Sequence, residues 1–482
     1  MAHPRFRPGP DLGTVPVPVH PLIQPAPPAA GRVRGIVPPY LLQHLAATDE
    51  PQAPAAMATL SRDQRQRRRR ASLQHPAPTV LVTLKVAAAA PSRLISDAGN
   101  SERLPGKAAR REGAAATGDA SVDEAYDGFG ATWKLFWEVY GRNSIDNAGL
   151  RLLGTVHYGD GYQNAFWNGT RMVFGDGDGE IFGRFTASLD VIGHELAHGV
   201  TEHTANLTYQ GQSGALNESL SDVFGSLVAQ YSTGQTAQES DWLIGADLLL
   251  PGVQGTALRS MLHPGTAYDD PRLGTDPQPD HMDSFVVTND DNGGVHYNSG
   301  IPNRAFALAA TAIGGHAWER AGQIWYDVLT SSELRADCDF ATFAQLTIAA
   351  AGARYGADSS EASAVTAGWE QVGVGRGTVA STPPAEVPVD PTVELRLRRT
   401  GGLAGISRER ATTLAELPPP DRRAWAGLLA GETLPDLAAR SRPRPDAFSY
   451  CVTCDAASVD VEVAEPDLPT KIRRLFERTL SS

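Results

Sequence analysis

The stretch His194-Glu195-Leu196-Ala197-His198 places two histidines four positions apart. On an α-helix, positions i and i+4 share one face, so both imidazoles can reach one ion. Zn²⁺ favours such nitrogen ligands, and Glu195 between them can act as general base towards a metal-bound water. Residues 189–193 continue the apolar face of this helix. The pattern predicts a catalytic zinc helix, and two purely structural histidines are the alternative.

A catalytic zinc site needs a third protein ligand beside its open position. Glu218 lies 20 residues after His198, far enough for a loop and a returning helix. Asp222 follows on the same helical face, where a carboxylate can accept the second N–H of a zinc-bound imidazole. We predict that both histidines and Glu218 bind one catalytic Zn²⁺, supported by Asp222.

Composition excludes several classes of protein. The 482 residues include 41% hydrophobic residues, 20% charged residues and three cysteines. The absence of an 18-residue apolar run argues against a membrane-spanning helix, and three cysteines cannot form a disulfide scaffold. The net charge is +6 over residues 1–70, −20 over 71–391 and +1 over 392–482. Because an acidic middle would repel phosphate backbones, we expect no nucleic-acid partner and no membrane association.

The composition also changes along the chain, which predicts a series of segments. A leader of two parts comes first, followed by an α+β globular region and a small separate α+β domain. The basic stretch 62–70 is interpreted as a solvated linker, with a nucleic-acid tail as the alternative. The predicted segments are a disordered Pro-rich leader (1–35), an apolar island with a basic linker (36–78), a strand-rich part (79–193), a helix-rich part (194–375), a linker (376–391) and a C-terminal domain (392–482).

The first 20 residues contain prolines where a secretory signal needs an apolar helix. We therefore expect no standard signal peptide. A cytoplasmic location and export by another route both remain open.

Further motifs occur in order along the chain. They are Asn164-Ala165-Phe166-Trp167-Asn168-Gly169, residues 172–179, Arg259-Ser260-Met261 and residues 290–300. Together with the zinc helix, they resemble the thermolysin family of zinc endopeptidases over residues 79–375. The resemblance implies a two-lobed α+β fold with a strand-rich N-terminal lobe, a helical C-terminal lobe and zinc in the cleft. It also implies protein or peptide substrates and, by the habit of the family, secretion.

The resemblance implies catalytic roles for several residues. Glu195 would take a proton from the water and pass it to the leaving amine. His296 would stabilise the oxyanion, with Asp291 orienting its ring and Tyr209 as a second donor. Asn217 would support a zinc-bound histidine. Tyr209 as a core residue and Asp291 as a turn former are the alternatives.

The resemblance also implies a substrate-binding set. Asn164 and the backbone of Ala165 would hold the substrate as an added strand, and Arg259 would bind the carbonyl beyond the scissile bond. An apolar pocket would favour cleavage before bulky apolar residues. Its walls would be Phe182, Val191, Ile244 and Leu258.

One departure concerns calcium. Members of the family with several calcium ions carry many acids near the active-site helices. Here Asp190, Asp241 and Asp247 are present, but alanine or leucine stands at positions 229, 243 and 246. Since Ca²⁺ takes six to eight oxygen ligands, we do not expect the double calcium site.

Two segments outside the catalytic region carry resemblances of their own. Val37-Pro38-Pro39-Tyr40-Leu41-Leu42 is similar to the precursor motif of protealysin-like peptidases, which implies that residues 36–78 are a short propeptide. Residues 394–405 and 445–450 resemble emfourin, a small inhibitor of such enzymes. This implies an intramolecular contact with the peptidase; a targeting module and an inhibitor acting in trans are the alternatives. For Cys451 and Cys454, plain packing is favoured over a redox or metal role.

The sequence thus predicts a neutral zinc endopeptidase. We expect it to be made as a zymogen and regulated by its C-terminal domain. The alternative is a peptidase-fold binding protein without turnover, but the presence of Glu195 and His296 argues against it.

Overall fold

Helices and strands are described here from a computed structural model of the chain. It describes residues 34–72, 90–288 and 290–375, and, with gaps, residues between 393 and 481. The chain divides into two compact units, Met1–Arg376 and Gly377–Ser482.

Six short strands build a mixed sheet in the first part of the first unit. They are β1 (Arg34–Gly35), β2 (Arg93–Asp97), β3 (Lys107–Arg111), β4 (Leu152–Val156), β5 (Ala165–Trp167) and β6 (Met172–Phe174). In space they follow the order β1-β5-β6-β4-β2-β3. The strands β2, β4 and β6 are parallel, whereas β1, β5 and β3 pair antiparallel with their neighbours. The leader thus supplies the strand next to β5.

The helices of this unit lie mostly after the sheet. They are α1 (Pro39–Ala46), α2 (Ala53–Ser72), α3 (Ala120–Glu138), α4 (Leu189–Glu202), α5 (Gly211–Thr233), α6 (Asp291–Asn298), α7 (Gly300–Ile313), α8 (Ala321–Thr330), α9 (Phe340–Tyr355) and α10 (Ser360–Gln371). Two short ribbons lie between α5 and α6. They are β7 (Leu243–Ile244) with β8 (Arg259–Ser260), and β9 (Asp269–Asp270) with β10 (Gly274–Thr275).

Two glycines bring α4 and α5 into close contact. A Cβ atom added to Gly193 on α4 would lie 3.0 Å from the Cα of Gly225 on α5. A Cβ atom on Gly225 would lie 2.4 Å from the carbonyl oxygen of Asp190. Only glycine fits at Gly225, and this close approach brings the side chains of the two helices together.

The leader differs from the prediction in two places. The stretch 62–70, interpreted as a solvated linker, lies within the helix α2, so that interpretation is wrong. Its glutamine and arginine residues are good helix formers, and the charge of the stretch alone was a poor guide to its structure. Arg34 and Gly35 lie in β1, so the prediction that residues 1–35 are disordered is wrong for these two residues. Residues 1–33 lie outside the described residues.

The second unit contains an antiparallel sheet of four strands with its own core. The strands β11 (Glu394–Gly401), β12 (Arg408–Thr413), β13 (Phe448–Cys454) and β14 (Val459–Ala464) are arranged in the order β12-β11-β13-β14, and helix α11 spans Thr470–Ser481. Trp425 stacks on Phe476 with ring centroids 5.0 Å apart. Cys454 is buried in this core and Cys451 is half-buried, both as free thiols. The predicted linker 376–391 lies outside the described residues.

Among the helices that the structure describes, none combines the length and apolar character needed to cross a lipid bilayer.

Replacing Gly225 by alanine should destabilise the first unit, because the added Cβ meets the backbone of α4. Overpacking of this kind costs about 1–3 kcal/mol in the free energy of unfolding. Thermal unfolding followed by circular dichroism measures the effect, with Glu195→Gln in every sample to prevent self-digestion.

Gly352→Ala on α9 is the matched control. A Cβ atom there has its nearest neighbour at 3.5 Å, an ordinary contact, and alanine favours a helix by roughly 0.5–1 kcal/mol over glycine. Equal melting temperatures for the two variants would show that the contact between α4 and α5 is not as tight as described.

Candidate active site

The residues of the zinc motif converge where α4 meets α5. His194 and His198 lie one helical turn apart on α4, and Glu218 faces them from α5. Nε2 of His194 lies 3.5 Å from Oε2 of Glu218, and Nε2 of His198 lies 3.3 Å from Oε1. Ligands bound to Zn²⁺ at about 2.0–2.1 Å in a tetrahedron are roughly 3.3 Å apart. The spacing of these three side chains therefore fits a zinc ion.

The hydrogen bonding of these atoms also fits a metal. Within the described residues, Nε2 of His194 and Oε2 of Glu218 are buried and have no hydrogen-bond partner. A buried polar atom without a partner is destabilising unless a metal or another group satisfies it. Burial would raise the pKa of Glu218, but the charges of His296, His198 and His194 hold it well below its usual range. Glu218 is thus a carboxylate, the form that binds metal.

Each histidine is oriented through its second nitrogen. Nδ1 of His194 lies 2.8 Å from Oδ1 of Asp222, so it donates there and leaves Nε2 as the lone-pair nitrogen. Nδ1 of His198 lies 2.9 Å from both Oδ1 of Asn217 and Oγ of Ser221. Asp222 and Asn217 were predicted from the sequence, whereas Ser221 was not, because no spacing rule gives a signal for it.

Asp222 is the centre of a buried polar network. Its carboxylate accepts hydrogen bonds from Nε and Nη2 of Arg259 at 2.9 and 2.7 Å and from Nδ2 of Asn303 at 2.8 Å. Burial would raise the pKa of Asp222, but Arg259 and His194 hold it far below the usual value. Asn303 was not predicted. The network joins a zinc-ligand histidine to the predicted substrate-binding arginine.

The predicted general base, Glu195 on α4, contacts the last residue of β5. Oε2 of Glu195 accepts a hydrogen bond of 2.9 Å from the backbone N–H of Trp167. Burial and the nearby Glu218 carboxylate raise the pKa of Glu195 well above its usual value, whereas the backbone N–H groups of Trp167 and Ile36 lower it. A carboxylate with a raised pKa in a closed site is suited to accepting a proton.

The predicted oxyanion donors lie opposite this base. Nδ1 of His296 lies 2.7 Å from Oδ1 of Asp291, and Oδ2 of Asp291 accepts the His296 backbone N–H at 2.7 Å. Burial would lower the pKa of His296, but the Asp291 and Glu218 charges raise it. The Tyr209 hydroxyl donates to Glu218 and lies 3.3 Å from Nε2 of His296. The four side chains therefore share one site.

The leader crosses this site as an extra strand. Its residue Ile36 donates its N–H to the carbonyl of Ala165 at 3.1 Å, and Nη1 of Arg259 donates to the Ile36 carbonyl at 2.9 Å. The next N–H, of Val37, donates to Oδ1 of Asn164 at 2.9 Å. The predicted substrate-binding groups thus hold a peptide backbone, and this peptide is the chain's own leader.

The predicted pocket residues are all buried. They belong to the hydrophobic cluster that includes Ile36. The pairing of β7 with β8 sets Ile244 opposite Arg259, and the Leu258 N–H donates to the Ile244 carbonyl. The residues are Phe182, Val191, Ile244 and Leu258.

Comparison with known proteins decides the family. Residues 93–202 match the family model "Thermolysin metallopeptidase, catalytic domain", and residues 205–374 match "Thermolysin metallopeptidase, alpha-helical domain". The chain belongs to the thermolysin family of metallopeptidases. This confirms the predicted two-lobed α+β fold, and the enzymes of this family depend on zinc. The second unit of this metallopeptidase carries an Emfourin domain, matched over residues 397–480.

Individual relatives agree with this assignment. The metallopeptidase is 55% identical to an extracellular metalloprotease of Pectobacterium carotovorum subsp. carotovorum, over 70% of this chain and 96% of that protein. It is 46% identical to protease PrtS of Photorhabdus sp. (strain Az29), over 71% of this chain and 92% of that protein. The solved precursor of protealysin from Serratia proteamaculans is 54% identical, covers 71% of this chain and 99% of its own, and superposes with a TM-score of 0.64.

Replacing Asp222 by asparagine should weaken zinc binding by roughly 10- to 100-fold, because the anionic acceptor that orients His194 is lost. Competition with a colorimetric chelator measures the affinity, in the Glu195→Gln background. Circular dichroism checks that the variant is folded, since Arg259 loses its buried partner as well.

Asp283→Asn is the matched control for this experiment, because it makes the same change on a side chain that is 90% exposed. An Asp222→Asn protein that is folded and binds zinc as tightly as Asp283→Asn would contradict the supporting role of Asp222.

Proposed function

We propose that this chain is a neutral zinc endopeptidase in which His194, His198 and Glu218 hold the metal. The observation that carries the proposal is the peptide backbone of the leader in the site. Its N–H and carbonyl groups pair with Ala165, Arg259 and Asn164. A cleft that binds a backbone through main-chain hydrogen bonds accepts many sequences, as an endopeptidase must.

The proposed mechanism assigns proton transfer to Glu195. A bound zinc ion would lower the pKa of a water molecule and polarise the substrate carbonyl. Glu195 accepts a proton from the attacking water and delivers it to the leaving amine. Its position beside the N–H of Ile36, which corresponds to the leaving amine, supports both transfers.

The negative charge that develops on the carbonyl oxygen needs donors already in place. Nε2 of His296 lies 3.2 Å from the carbonyl oxygen of Gly35, the group that corresponds to the reacting carbonyl. Asp291 accepts from the other ring nitrogen, which supports the protonated ring. Tyr209 supplies a second hydroxyl donor next to His296.

Substrate preference follows from the residue after the scissile bond. In the leader that residue is Ile36, which is fully buried and belongs to the same apolar cluster as Phe182, Val191, Ile244 and Leu258. Burial of a whole aliphatic side chain stabilises binding by about 1.5–3 kcal/mol. We therefore propose cleavage before bulky apolar residues.

We also propose that the chain is a zymogen. The leader fills the cleft, and side chains of Ile36, Leu41, Leu42 and Leu45 are buried in the core of the first unit. No substrate can pair with β5 while β1 does so. The extracellular relatives, as their names describe them, support an extracellular location for the active enzyme.

Asp190, one of the acids considered for calcium, is engaged by the protein itself. Its carboxylate accepts hydrogen bonds from the Ser188 hydroxyl and from the N–H groups of Val191 and Gly245. These contacts support the proposal that zinc is the catalytic ion and that the double calcium site is missing.

Glu195→Gln should abolish proteolysis and keep zinc, since it removes the base and leaves the three ligands. The loss is roughly 10²- to 10⁴-fold or more. Hydrolysis of casein and of an internally quenched peptide measures activity, and metal analysis measures zinc.

Glu319→Gln is the control on an exposed glutamate and should behave as wild type. Sensitivity of the wild type to 1,10-phenanthroline completes the test. Activity of Glu195→Gln within a few-fold of wild type would sink the mechanism. If the wild-type protein hydrolysed neither substrate after removal of its leader, the alternative of a peptidase-fold binding protein would be favoured.

The Emfourin domain should inhibit the catalytic unit to which it is joined. Covalent joining raises the effective concentration of one unit around the other, so that a weak contact suffices. The signs of charge also agree, since a near-neutral unit rich in arginine would meet a segment of net charge −20. In protein whose leader has been removed, deleting all residues after Gly375 is expected to raise activity on a short fluorogenic peptide.

Addition of the isolated domain 392–482 should reverse that increase. Its own sheet and buried core support independent folding. Unchanged activity after truncation, together with no effect of the added domain, would rule out inhibition in cis and in trans alike.

A further inference from the structure

The leader lies in the cleft in the orientation of a substrate, with one peptide bond at the reacting position. The Gly35 carbonyl accepts a hydrogen bond of 3.2 Å from Nε2 of His296. The N–H on the other side of the bond belongs to Ile36 and donates to the Ala165 carbonyl. The following carbonyl is bound by Arg259. The carbonyl before the bond, the N–H after it and the next carbonyl are therefore each bound as the proposed mechanism requires of a substrate.

The approach of the backbone at this point is very close. A Cβ atom on Gly35 would lie 2.8 Å from Nδ2 of Asn164 and 3.2 Å from the carbonyl of Ala165. A larger residue at this position would require the Asn164 side chain to shift. Before the Gly35–Ile36 bond, the described residues that pair with β5 are Arg34 and Gly35.

From this geometry we infer that the active site hydrolyses the Gly35–Ile36 peptide bond of its own leader, within the same molecule. The inference rests on the proposed endopeptidase function and adds a self-processing site to it. The oxygen of a water molecule bonds to the carbonyl carbon of Gly35, and the bond from that carbon to the nitrogen of Ile36 breaks. Glu195 carries one water proton to that nitrogen, and the second water proton passes to the released amine from the new carboxyl group, leaving a carboxylate on Gly35 and an ammonium on Ile36.

The cut does not free the site. The residues after the bond keep their contacts, because Val37 remains bound to Asn164 and the side chains of Leu41, Leu42 and Leu45 remain buried. Helix α2 adds a further anchor, since the buried Asp63 accepts hydrogen bonds from the Tyr162 hydroxyl and from Nδ2 of Asn164. The new ammonium of Ile36 lies beside the Glu195 carboxylate. The product is a nicked chain that is still inhibited.

The test follows the bond in the full chain. Protein purified free of zinc receives zinc in water labelled with ¹⁸O, and mass spectrometry follows the products with time. We expect a fragment that ends at Gly35 with ¹⁸O in its carboxylate, and a new amino terminus at Ile36. The rate should be first-order and unchanged over a hundredfold dilution, because the reaction is intramolecular.

Three variants make the test specific. Glu195→Gln should slow the cut by at least about a hundredfold. Ile36→Leu should keep the cut, whereas Ile36→Asp should prevent it by placing a carboxylate among apolar side chains. A cut at the same bond in Glu195→Gln, or a rate proportional to protein concentration, would overturn the inference.

A measurement without turnover checks the position of the leader. In the Glu195→Gln protein, the amides of Ile36 and Val37 should be protected from hydrogen exchange, and Ile36→Asp in that background should remove the protection. Free exchange of both amides in Glu195→Gln alone would overturn the inference, since the bond would not lie in the cleft.

Protein from which the whole leader has been removed separates this inference from the proposed function. Because its cleft is open, it should hydrolyse an internally quenched peptide. If it does and the Gly35–Ile36 bond of the wild type stays intact, the inference falls and the endopeptidase function stands. If neither substrate is cut in zinc-loaded protein, both fall together.

Discussion

The contact between Gly193 and Gly225 is the constraint on which the site depends. Helices normally pack with their axes about 8–10 Å apart, and glycine at the crossing point permits the lower end of this range. His194 follows directly after Gly193 on α4, and Glu218 lies two turns before Gly225 on α5. The distances between the ligands of a metal site must be correct to a few tenths of an ångström. Here they depend on two residues without side chains.

The buried charged side chains in this region are stabilised because each of them has a hydrogen-bonding partner. Asp222 is fully buried and would be destabilising alone, but Arg259 and Asn303 donate to it from two other elements. The same carboxylate fixes His194 and the same guanidinium binds the leader backbone. One ion pair, Asp222 with Arg259, thus positions both His194 and the leader backbone. We therefore expect substitution of either residue to affect metal binding and peptide binding together.

The sequence predicted the parts of the site that have a periodic signature. His194 and His198 follow from helical spacing, and Glu218 follows from the need for a third ligand. Ser221 and Asn303 were missed because their contacts arise only when separate elements pack together. Strand β1 was missed because two residues carry no strand pattern, and their partners lie 133 and 131 positions away. Helix α2 was missed because a run of arginines was judged by its charge rather than by its helix propensity.

The short strand β1 also determines whether β5 is an interior strand or an edge strand of the sheet. While Arg34 and Gly35 pair with Phe166 and Trp167, β5 is an interior strand of the sheet. A chain without the leader presents β5 as an edge strand, because the Ala165 carbonyl then loses the N–H of Ile36 as its partner. Such an edge is what a peptide substrate uses, and it is equally a template for another copy of the chain. By this argument, a chain without its leader is more exposed to association with other copies than a chain in which β1 covers β5.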